Sequence, residues 1–355
     1  MKIHQFSTSL TYGDAISDEM LEIQSILREE GHESEIFVRF FEPRMAKFMR
    51  DFREYRKLSS PDNIVIFHFS IGSPVSKMIF RIPDKKIMIY HNITPHHFFL
   101  DYHRILTREC YKGRLEIKLF ADRVNLALGD SEFNRKELEE VGYPTTGVLP
   151  LLLNFSKFDG EDDPLVHRIF RNGKKTVLFV GRIIPNKKVE DVIKTFAVYQ
   201  KYFRSDSQLI LAGDYRGMER YHGVLLDLVG RLGVKDVHFT GHIRLSSLAA
   251  FFKVSDVYLS MSEHEGFGVP LLEAFYNRLP VVAFDAGAVA ETMNGGGVLL
   301  HKKEFEKTAA FLGRLDFDMQ LRQSIISAQI EALEKYRRET QSRTLMDFIE
   351  RVRQE

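Results

Sequence analysis

The chain has 355 residues, a hydrophobic content of 44% and a formal net charge of +1, which suits two domains with their own cores. A charge this close to zero argues against a dedicated nucleic-acid-binding protein. Because the single cysteine, Cys110, cannot form an internal disulfide and no targeting segment or bilayer-spanning apolar run is recognisable, we expect a cytoplasmic location.

Strand-like runs alternate with amphipathic segments along most of the chain, which predicts parallel sheets of the doubly wound α/β class. In the first half we predict strands at 2–6, 35–40, 63–69, 86–91 and 124–129. A polar linker follows at 154–168. In the second half we predict strands at 176–181, 208–213, 237–241, 256–262, 280–285 and 298–300. After residue 302 the pattern is helical only.

Two turns in the first half contain candidate site residues. The first strand-to-helix turn contains Gly13 but no Gly-x-Gly-x-x-Gly pattern, which argues against a nicotinamide-dependent oxidoreductase. His91 ends an apolar strand, where open α/β sheets bind ligands. Gly13 could also serve only as a tight turn, and His91 could be a structural residue.

The segment VGRIIPNK, residues 180–187, follows a predicted strand in the second half. That strand would carry Arg182 and Lys187 to the carboxyl end of the sheet. An arginine fork and a lysine ammonium both suit phosphate oxygens, so these cations are candidates for holding a diphosphate.

The segment EGFGVPLLE, residues 265–273, follows another predicted strand and reads as a glycine loop that enters a helix. Gly266 and Gly268 allow a ligand to approach the backbone, and Pro270 suits the first helical turn. A helix start favours an anion such as a diphosphate. Since Glu265 and Glu273 would repel phosphate, we expect one acid to bind the hydroxyls of a sugar and the other those of a ribose.

Together these two segments resemble the retaining GT-B glycosyltransferases of family 4, or group 1, whose signatures are Glu-x7-Glu within EGFG-x-P-x-x-E-A and a G-R-x-x-x-x-K turn. The resemblance implies two Rossmann-like domains that face a cleft. An acceptor domain at 1–155 would be completed by a C-terminal helix at about 337–355, and the donor domain would span 156–336. It also implies sugar transfer from a nucleoside-diphosphate sugar with retention at the anomeric carbon, without a metal.

The resemblance also assigns roles to residues of this chain. His91 would touch the transferred sugar and Glu265 would orient it, so these two are the candidate catalytic residues. The candidate donor-binding residues are Gly13, Arg182, Lys187, Glu265, Gly266, Phe267, Gly268, Val269 and Glu273. No residue is expected to bind a metal. The Asp316-Phe317-Asp318 pattern is better explained by Asp318 capping the next helix.

Two departures from the family pattern and two alternative functions remain. Asn186-Lys187-Lys188 replaces the commoner acid-Lys-Gly, and Gly295-Gly296-Gly297 follows Glu291 where an acid and a glycine are usual. The alternatives are a catalytically inactive sugar-nucleotide-binding scaffold and a GT-B nucleotide-sugar epimerase.

The acceptor and the donor base are not determined by the signatures. The resemblance implies a glycan or lipid-linked acceptor in bacterial surface polysaccharide synthesis, and a UDP-sugar or a GDP-sugar as donor. Residues 36–57 combine aromatic residues with seven cations, which predicts a basic amphipathic face that would lie on anionic lipid. Peripheral contact with the cytoplasmic face of the membrane therefore stays open, with an ordinary solvated face as the alternative.

Overall fold

The computed structural model describes residues 1–354, which form two compact units. The first unit comprises Met1–His97, Ile105–Asn154 and the chain from Lys335 onward; the second comprises Phe98–Arg104 and Phe155–Glu334. The predicted division into an acceptor domain at 1–155 with about 337–355 and a donor domain at 156–336 stays a prediction. The short segment Phe98–Arg104 was not expected to join the second unit.

The first unit is built on a seven-stranded sheet in which all neighbouring strands are parallel. Its strands are β1 (Ile3–Leu10), β2 (Ile36–Phe41), β3 (Met49–Asp51), β4 (Ile64–Phe69), β5 (Lys85–Tyr90), β6 (Leu126–Gly129) and β7 (Thr146–Val148). Its helices are α1 (Ala15–Glu29), α2 (Pro74–Ile79), α3 (Arg104–Leu119), α4 (Glu132–Glu140) and, at the end of the chain, α13 (Arg338–Gln354). The strand order is β3-β2-β1-β4-β5-β6-β7.

The second unit is built on a six-stranded parallel sheet of order β10-β9-β8-β11-β12-β13. Its strands are β8 (Lys175–Val180), β9 (Ser207–Ala212), β10 (Val237–Phe239), β11 (Val257–Ser260), β12 (Val281–Phe284) and β13 (Val298–Leu300). Its helices are α5 (Pro164–Phe170), α6 (Val189–Tyr202), α7 (Glu219–Leu232), α8 (Leu245–Val254), α9 (Val269–Tyr276), α10 (Val289–Met293), α11 (Phe305–Leu315) and α12 (Met319–Ala332).

The strand order reverses once in each sheet, between β1 and β4 in the first unit and between β8 and β11 in the second. Ligands of doubly wound sheets bind beyond the carboxyl ends of the strands at such a reversal. All eleven predicted strands are present, so the predicted α/β class is confirmed. The three-residue strands β3 and β7 were not predicted.

The core of the first unit lies where the C-terminal helix α13 returns to the sheet. All six residues of β4 are buried, as expected of a strand with covered faces. Leu345, Ile349 and Val352 recur at helical spacing in α13 and pack into the same apolar cluster as Ile64 and Ile87. This unit is therefore assembled from both ends of the chain.

The basic segment at 36–57 does not form one continuous helix, and its contact with anionic lipid stays a prediction. Its first residues pair with β1 as the strand β2, and the rest forms the 3-10 turns Pro43–Phe48 and Phe52–Lys57 around the short strand β3. Strand pairing outweighs the helix-like spacing of the cations. Across residues 1–354, no helix combines the length and the apolar character that a bilayer crossing requires.

The stability of the first unit is expected to fall below neutral pH because of His4. Its buried ring packs edge-on against Phe37 and Tyr55, and its Nδ1 accepts a hydrogen bond from the backbone N–H of Glu35 at 3.2 Å. Burial lowers the pKa of His4 to about 4. Because the unfolded chain takes up this proton near pH 6.5, the contribution is complete above that pH and is lost as pH falls toward 4, by about 3 kcal/mol.

Urea unfolding of the wild type and of His4→Asn between pH 7 and pH 4 measures this loss. Asparagine keeps an acceptor but does not titrate, so its free energy of unfolding should fall less steeply. Equal slopes in both proteins would contradict the assignment to His4.

Candidate functional site

The two sequence segments singled out above lie on the two strands that flank the reversal in the second sheet. The loop after β8 contains Arg182 and Lys187, and the loop after β11 contains Glu265. Because β8 and β11 are hydrogen-bonded neighbours, their carboxyl ends lie side by side. This is the position at which a doubly wound sheet binds its ligand.

Two glycines allow the backbone to pack closely where β8 ends. A Cβ on Gly213, just after β9, would lie 1.7 Å from the carbonyl oxygen of Gly181, so only glycine fits there. Gly181 itself has φ +150°, a conformation that favours glycine. Arg182 follows directly and is exposed. Its side chain has no ion pair or hydrogen bond with any of residues 1–354, so its guanidinium is available to an anionic ligand.

Asn186 joins the two loops, a role that the sequence did not reveal. Its buried side chain donates from Nδ2 to the carbonyl oxygen of His264 at 3.1 Å. Its backbone carbonyl accepts the N–H of Glu263 at 2.8 Å. The departure from the commoner acidic residue at this position therefore has a structural reason, because an amide can donate to a carbonyl whereas a carboxylate cannot.

The link made by Asn186 brings a cation and an acid into direct contact. The ammonium of Lys187 lies 2.7 Å from Oε1 and 2.6 Å from Oε2 of Glu265. The two side chains are 19% and 12% exposed, so the pair is partly shielded but still reachable from solvent. The structure thus joins two residues that the sequence had assigned to adjacent parts of one ligand, the diphosphate and the sugar.

The loop after β12 supports the backbone of Glu265 from behind. The N–H of Ala288 donates to the carbonyl oxygen of Glu265 at 3.0 Å. Gly287 has φ +62°, and a Cβ at this position would lie 2.3 Å from that same oxygen. Glycine is therefore needed at 287 both for its conformation and for the close approach.

Gly287→Ala is expected to displace the Glu265 loop, since the new methyl group meets backbone rather than a movable side chain. A misplacement on the order of 1 Å at a reacting group costs up to roughly 100-fold in rate, so we expect sugar-transfer activity to fall by about 10- to 100-fold. Gly223→Ala is the matched control, because Gly223 lies inside α7 and a Cβ at that position would have no atom within 4 Å. Similar activity losses in the two variants would contradict a special role for Gly287.

The helix α9 begins at the end of the glycine loop, as predicted. Gly268 precedes it with φ +101°, and Pro270 lies in its first turn. The carbonyl oxygen of Phe267, which is itself buried, accepts a hydrogen bond from the hydroxyl of Thr292 at 2.6 Å. The start of α9 at Val269 thus has a fixed position beside Glu265, and its dipole favours an anion there.

The two signature acids have different surroundings. Glu273, in α9, is buried, and its Oε1 lies 3.1 Å from the ammonium of Lys157. Tyr258 donates from its hydroxyl to the carbonyl oxygen of Val180, and burial, with the negative charge of Glu265 adding to it, holds its pKa well above the usual value. A neutral phenol is therefore kept at the sheet edge. Glu265 is the more exposed of the two acids, with a side chain that is 12% exposed against 8% for Glu273.

The remaining candidates, Gly13 and His91, belong to the first unit. Gly13 is exposed, has φ +73° and precedes Asp14, whose carboxylate caps α1 by accepting the N–H of Ser17. No atom lies within 4 Å of a Cβ built at Gly13. The turn conformation alone thus accounts for this glycine, and its predicted contact with the donor stays a prediction.

His91 lies just beyond β5 with a side chain only 2% exposed, in a buried chain of hydrogen bonds. The amide nitrogen of Gln5 donates to the carbonyl oxygen of Met20 at 2.9 Å, so the amide oxygen faces Nε2 of His68 at 3.0 Å and that nitrogen is the donor. Burial lowers the pKa of His68, which leaves its Nδ1 as an acceptor. Nδ1 lies 3.0 Å from Nε2 of His91, which therefore donates.

The other ring nitrogen of His91 also faces an acceptor. Nδ1 lies 3.4 Å from Oδ2 of Asp130, and the buried carboxylate of Glu19 lies 3.6 Å from Nε2. Burial lowers the pKa of His91, but the hydrogen bond to Asp130 and the charge of Glu19 outweigh it, so the net shift is upward. Burial raises the pKa of Asp130 to about 6. Both nitrogens of His91 thus lie close to protein groups.

Glu19, His68 and His91 are also the residue types that bind metals, and one ligand atom from each lies within 4.8 Å of the others. The two rings are parallel within 1°, and their centres lie 5.3 Å apart, nearly the largest separation that a 3.0 Å contact between the nitrogens allows. The nitrogens therefore point at each other in one line. A zinc ion needs about 2.0 Å from each nitrogen, so this arrangement suits a hydrogen bond and not a metal.

The acidic pair at Asp316 and Asp318 has structural roles. Asp318 precedes α12 and its carboxylate accepts the N–H of Leu321 at 2.9 Å, which confirms the predicted cap. Asp316 accepts a hydrogen bond from the hydroxyl of Tyr199 at 2.7 Å. Both carboxylates are therefore engaged at the helix end.

Comparison with known protein families finds a match to the part of the chain that contains the paired loops. Residues 166–329 match the family Glycosyl transferases group 1. The O-antigen chain mannosyltransferase B of Escherichia coli is 25% identical over 199 residues, covering 54% of this chain and 51% of that protein. A GDP-mannose-dependent alpha-mannosyltransferase of Mycolicibacterium smegmatis is 34% identical over 146 residues, covering 41% of this chain and 33% of that protein. The chain thus spans about half of the first relative and a third of the second.

Solved structures match over nearly the whole length. Sucrose-phosphate synthase from Thermosynechococcus elongatus has a TM-score of 0.77 at 15% identity, covering 99% of both chains. Anabaena HepE, solved in complex with UDP-glucose, has a TM-score of 0.77 at 17% identity, again covering 99% of both chains. The predicted GT-B fold with two Rossmann-like units is confirmed, and residues 166–329 match the glycosyltransferases of group 1.

Proposed function

We propose that the protein is a retaining glycosyltransferase that moves a sugar from a nucleoside-diphosphate sugar to a glycan or lipid-linked acceptor. The observation that carries this proposal is the contact between Lys187 and Glu265 at the strand reversal of the second unit. A cation for phosphate and an acid for hydroxyls meet there, as a ligand with a charged half and a neutral half requires.

In the proposed reaction, the bond between the sugar and the diphosphate breaks and negative charge grows on the leaving oxygen. Arg182 and Lys187 stabilise that charge, and the start of α9 adds its positive dipole end. The arginine is exposed and the lysine is partly exposed, so both reach a ligand at the sheet edge. When the diphosphate attracts Lys187, Glu265 is released to accept hydrogen bonds from the hydroxyls of the sugar.

Glu273 has a different part in the proposal. Its buried carboxylate is held by Lys157 at 3.1 Å, which fits a fixed acceptor for the ribose hydroxyls of the nucleotide. The glycine loop at 266–268 and the start of α9 at Val269 would bind the donor through the backbone. The contact of His91 with the transferred sugar stays a prediction, and its side chain is 2% exposed with Nε2 3.0 Å from His68 and Nδ1 3.4 Å from Asp130.

The acceptor is proposed from the relatives. The similarity to an O-antigen chain mannosyltransferase supports a role in bacterial surface polysaccharide synthesis, and a cytoplasmic location belongs to the same proposal. One relative is GDP-mannose-dependent, whereas one solved neighbour was crystallised with UDP-glucose. UDP-sugars and GDP-sugars are therefore both candidate donors.

Calorimetric titration with a panel of UDP-sugars and GDP-sugars, followed by product analysis with the best donor, tests this function. Release of nucleoside diphosphate that accelerates when acceptor is added supports a transferase, and retained anomeric configuration in the product supports the retaining mechanism. Donor binding without turnover would indicate a scaffold subunit, and conversion of the donor to another nucleoside-diphosphate sugar would indicate an epimerase.

Donor binding is expected to be independent of divalent metal. Arg182, Lys187 and the start of α9 already supply positive charge to the diphosphate, so a metal ion has little charge left to neutralise. We expect the Kd of the free nucleoside diphosphate to change by less than about twofold when Mg²⁺ or Mn²⁺ is added, which is well below the tenfold that 1.4 kcal/mol represents. Binding that requires either ion would contradict this proposal and bring Asp316 and Asp318 back into consideration.

A further inference from the structure

The helix α3, in the first unit, turns large apolar side chains toward solvent. Between residues 105 and 119, the exposed positions recur every three or four residues and form one face. We call this the outer face of α3; it consists of Ile105, Arg108, Tyr111, Lys112, Leu115, Lys118 and Leu119. Its four apolar side chains are 50% to 61% exposed.

The opposite face of α3 explains why these side chains remain outside. Cys110, Gly113 and Ile117 are buried against the rest of the unit. A Cβ on Gly113 would lie 2.8 Å from the side chain of Ile93 and 3.1 Å from the backbone nitrogen of Gly72, so the helix lies too close for larger residues. Cys110 and Gly113 therefore pack inward beside Ile117, and the apolar residues of the outer face are directed away from the core.

The charges on the outer face select the kind of partner. Its three cations alternate with the four apolar residues, and none of its positions is acidic. Glu109 lies at its edge, 2.8 Å from Arg108 and 4.0 Å from Lys112, whereas Glu116 lies on a less exposed side of the helix. The outer face of α3 therefore has positive charges and apolar side chains interleaved along one side of the helix.

We propose that the outer face of α3 binds the surface of an anionic lipid bilayer. Aliphatic and tyrosine side chains enter the boundary between headgroups and acyl chains, while long lysine and arginine side chains keep their charges among lipid phosphates. A protein partner fits less well, because the centre of a protein interface is depleted of lysine. A nucleic acid would use the cations but leave the leucines in water.

This inference deepens the proposed function, since it would place the first unit at a membrane that contains lipid-linked acceptors. The role of membrane binding rests on the proposed function, whereas the binding itself does not. Vesicle binding is measured without donor or acceptor, whereas donor binding is measured without vesicles. A failure of one proposal therefore leaves the other to be judged on its own result.

The first experiment uses tryptophan fluorescence, because the chain contains no tryptophan. Tyr111→Trp places a probe on the outer face of α3, and Tyr202→Trp places a matched probe at an exposed position in α6 of the second unit. With vesicles that contain phosphatidylglycerol, the emission of the Tyr111→Trp protein should shift to shorter wavelength, and that of the Tyr202→Trp protein should not. Equal responses, or no shift at position 111, would overturn the proposal.

The second experiment measures co-sedimentation of the full chain with the same vesicles. The double variant Leu115→Gln/Leu119→Gln should bind at least about tenfold more weakly, as should Lys112→Gln/Lys118→Gln. Leu226→Gln/Leu232→Gln, which changes exposed leucines of α7, is the matched control and should bind like the wild type. Thermal unfolding checks that each variant is folded.

Several results would contradict the proposal. Wild-type protein that binds phosphatidylcholine vesicles as well as anionic ones would show that the cations have no role. Equal losses in the α3 and α7 leucine variants would remove the assignment to this face. A wild-type dimer in solution that the α3 variants convert to a monomer, without vesicle binding by the wild type, would identify the face as a protein interface instead.

Discussion

Lys187→Ala is expected to lower kcat by on the order of 100-fold, because the lysine stabilises charge that develops on the leaving diphosphate. The structure adds a second cause. Removal of the ammonium leaves the carboxylate of Glu265, 2.6 Å away, without its counter-ion. That carboxylate would then repel the diphosphate, so binding of the donor should weaken as well. Arg182→Ala should lower kcat by a similar factor, since its exposed guanidinium stabilises the same negative charge on the leaving diphosphate.

The neighbouring lysine provides the control for this prediction. Lys188 contacts Glu263 and Glu190, not Glu265, and it has φ +48°, a conformation in which alanine is no more strained than lysine. Lys188→Ala should therefore change kcat by less than about threefold, as surface ion pairs contribute little. Steady-state kinetics of the three variants decides the matter. Near-normal kcat in both Arg182→Ala and Lys187→Ala would remove the proposed phosphate site.

Glu265→Gln is expected to lower turnover, whereas Glu273→Gln is expected to weaken nucleotide binding. Glu265 is proposed to touch the transferred sugar, so Glu265→Gln should depress turnover of the intact donor while affinity for the free nucleoside diphosphate stays nearly unchanged. Glu273 is proposed to hold the ribose, which the donor and the free nucleotide share. Glu273→Gln should therefore weaken both by roughly 1 to 3 kcal/mol, the value of a charge-assisted hydrogen bond.

Calorimetric titration of both variants with nucleoside diphosphate and with donor separates these outcomes. Glu273 also pairs with Lys157 in a buried position, so its replacement removes a counter-charge from that ammonium and is expected to lower the melting temperature. Glu265 is partly exposed and should affect stability less. If Glu265→Gln loses nucleotide affinity as severely as Glu273→Gln, the division between sugar and ribose is wrong.

The parts of the site that could be predicted are those written in short stretches of sequence. Arg182 and Lys187 lie within one turn, and the glycine loop leads directly into Pro270 and α9, so spacing alone indicated both loops. The buried strands were also predictable, since β4 and β8 are apolar runs bounded by polar turns. In each case local sequence and global fold favour the same structure.

Residues that act through distant contacts escaped prediction. Asn186 and Gly287 both position the Glu265 loop, yet one lies about 80 residues before it along the chain and the other belongs to a different strand end. His91 was assigned to the sugar because of its strand-end position. The partners that bury it, such as His68 and Asp130, come from neighbouring strands, and only their convergence reveals the hydrogen-bond chain.

Two further features could not be predicted from the sequence: the short edge strands and the exposed surface of α3. β3 and β7 have three residues each, too few for an alternating or apolar pattern to emerge. The basic segment at 36–57 is divided between two strands and two 3-10 turns, a division that its many cations did not reveal, and its contact with lipid stays a prediction. In α3 the spacing of apolar residues is visible in sequence, whereas the direction in which they point depends on the close approach at Gly113.

The return of α13 to the first unit bears on how the protein is made. The core cluster of that unit joins Ile3 of β1 to Leu345, Ile349 and Val352, so its first residues leave the ribosome long before their partners exist. Phe155–Glu334, in contrast, are translated as one uninterrupted stretch. During synthesis the second unit can therefore fold while the first still exposes an unfilled apolar groove. Such intermediates are substrates for chaperones, and a ribosome stalled before α13 would leave the older half of the protein unfinished.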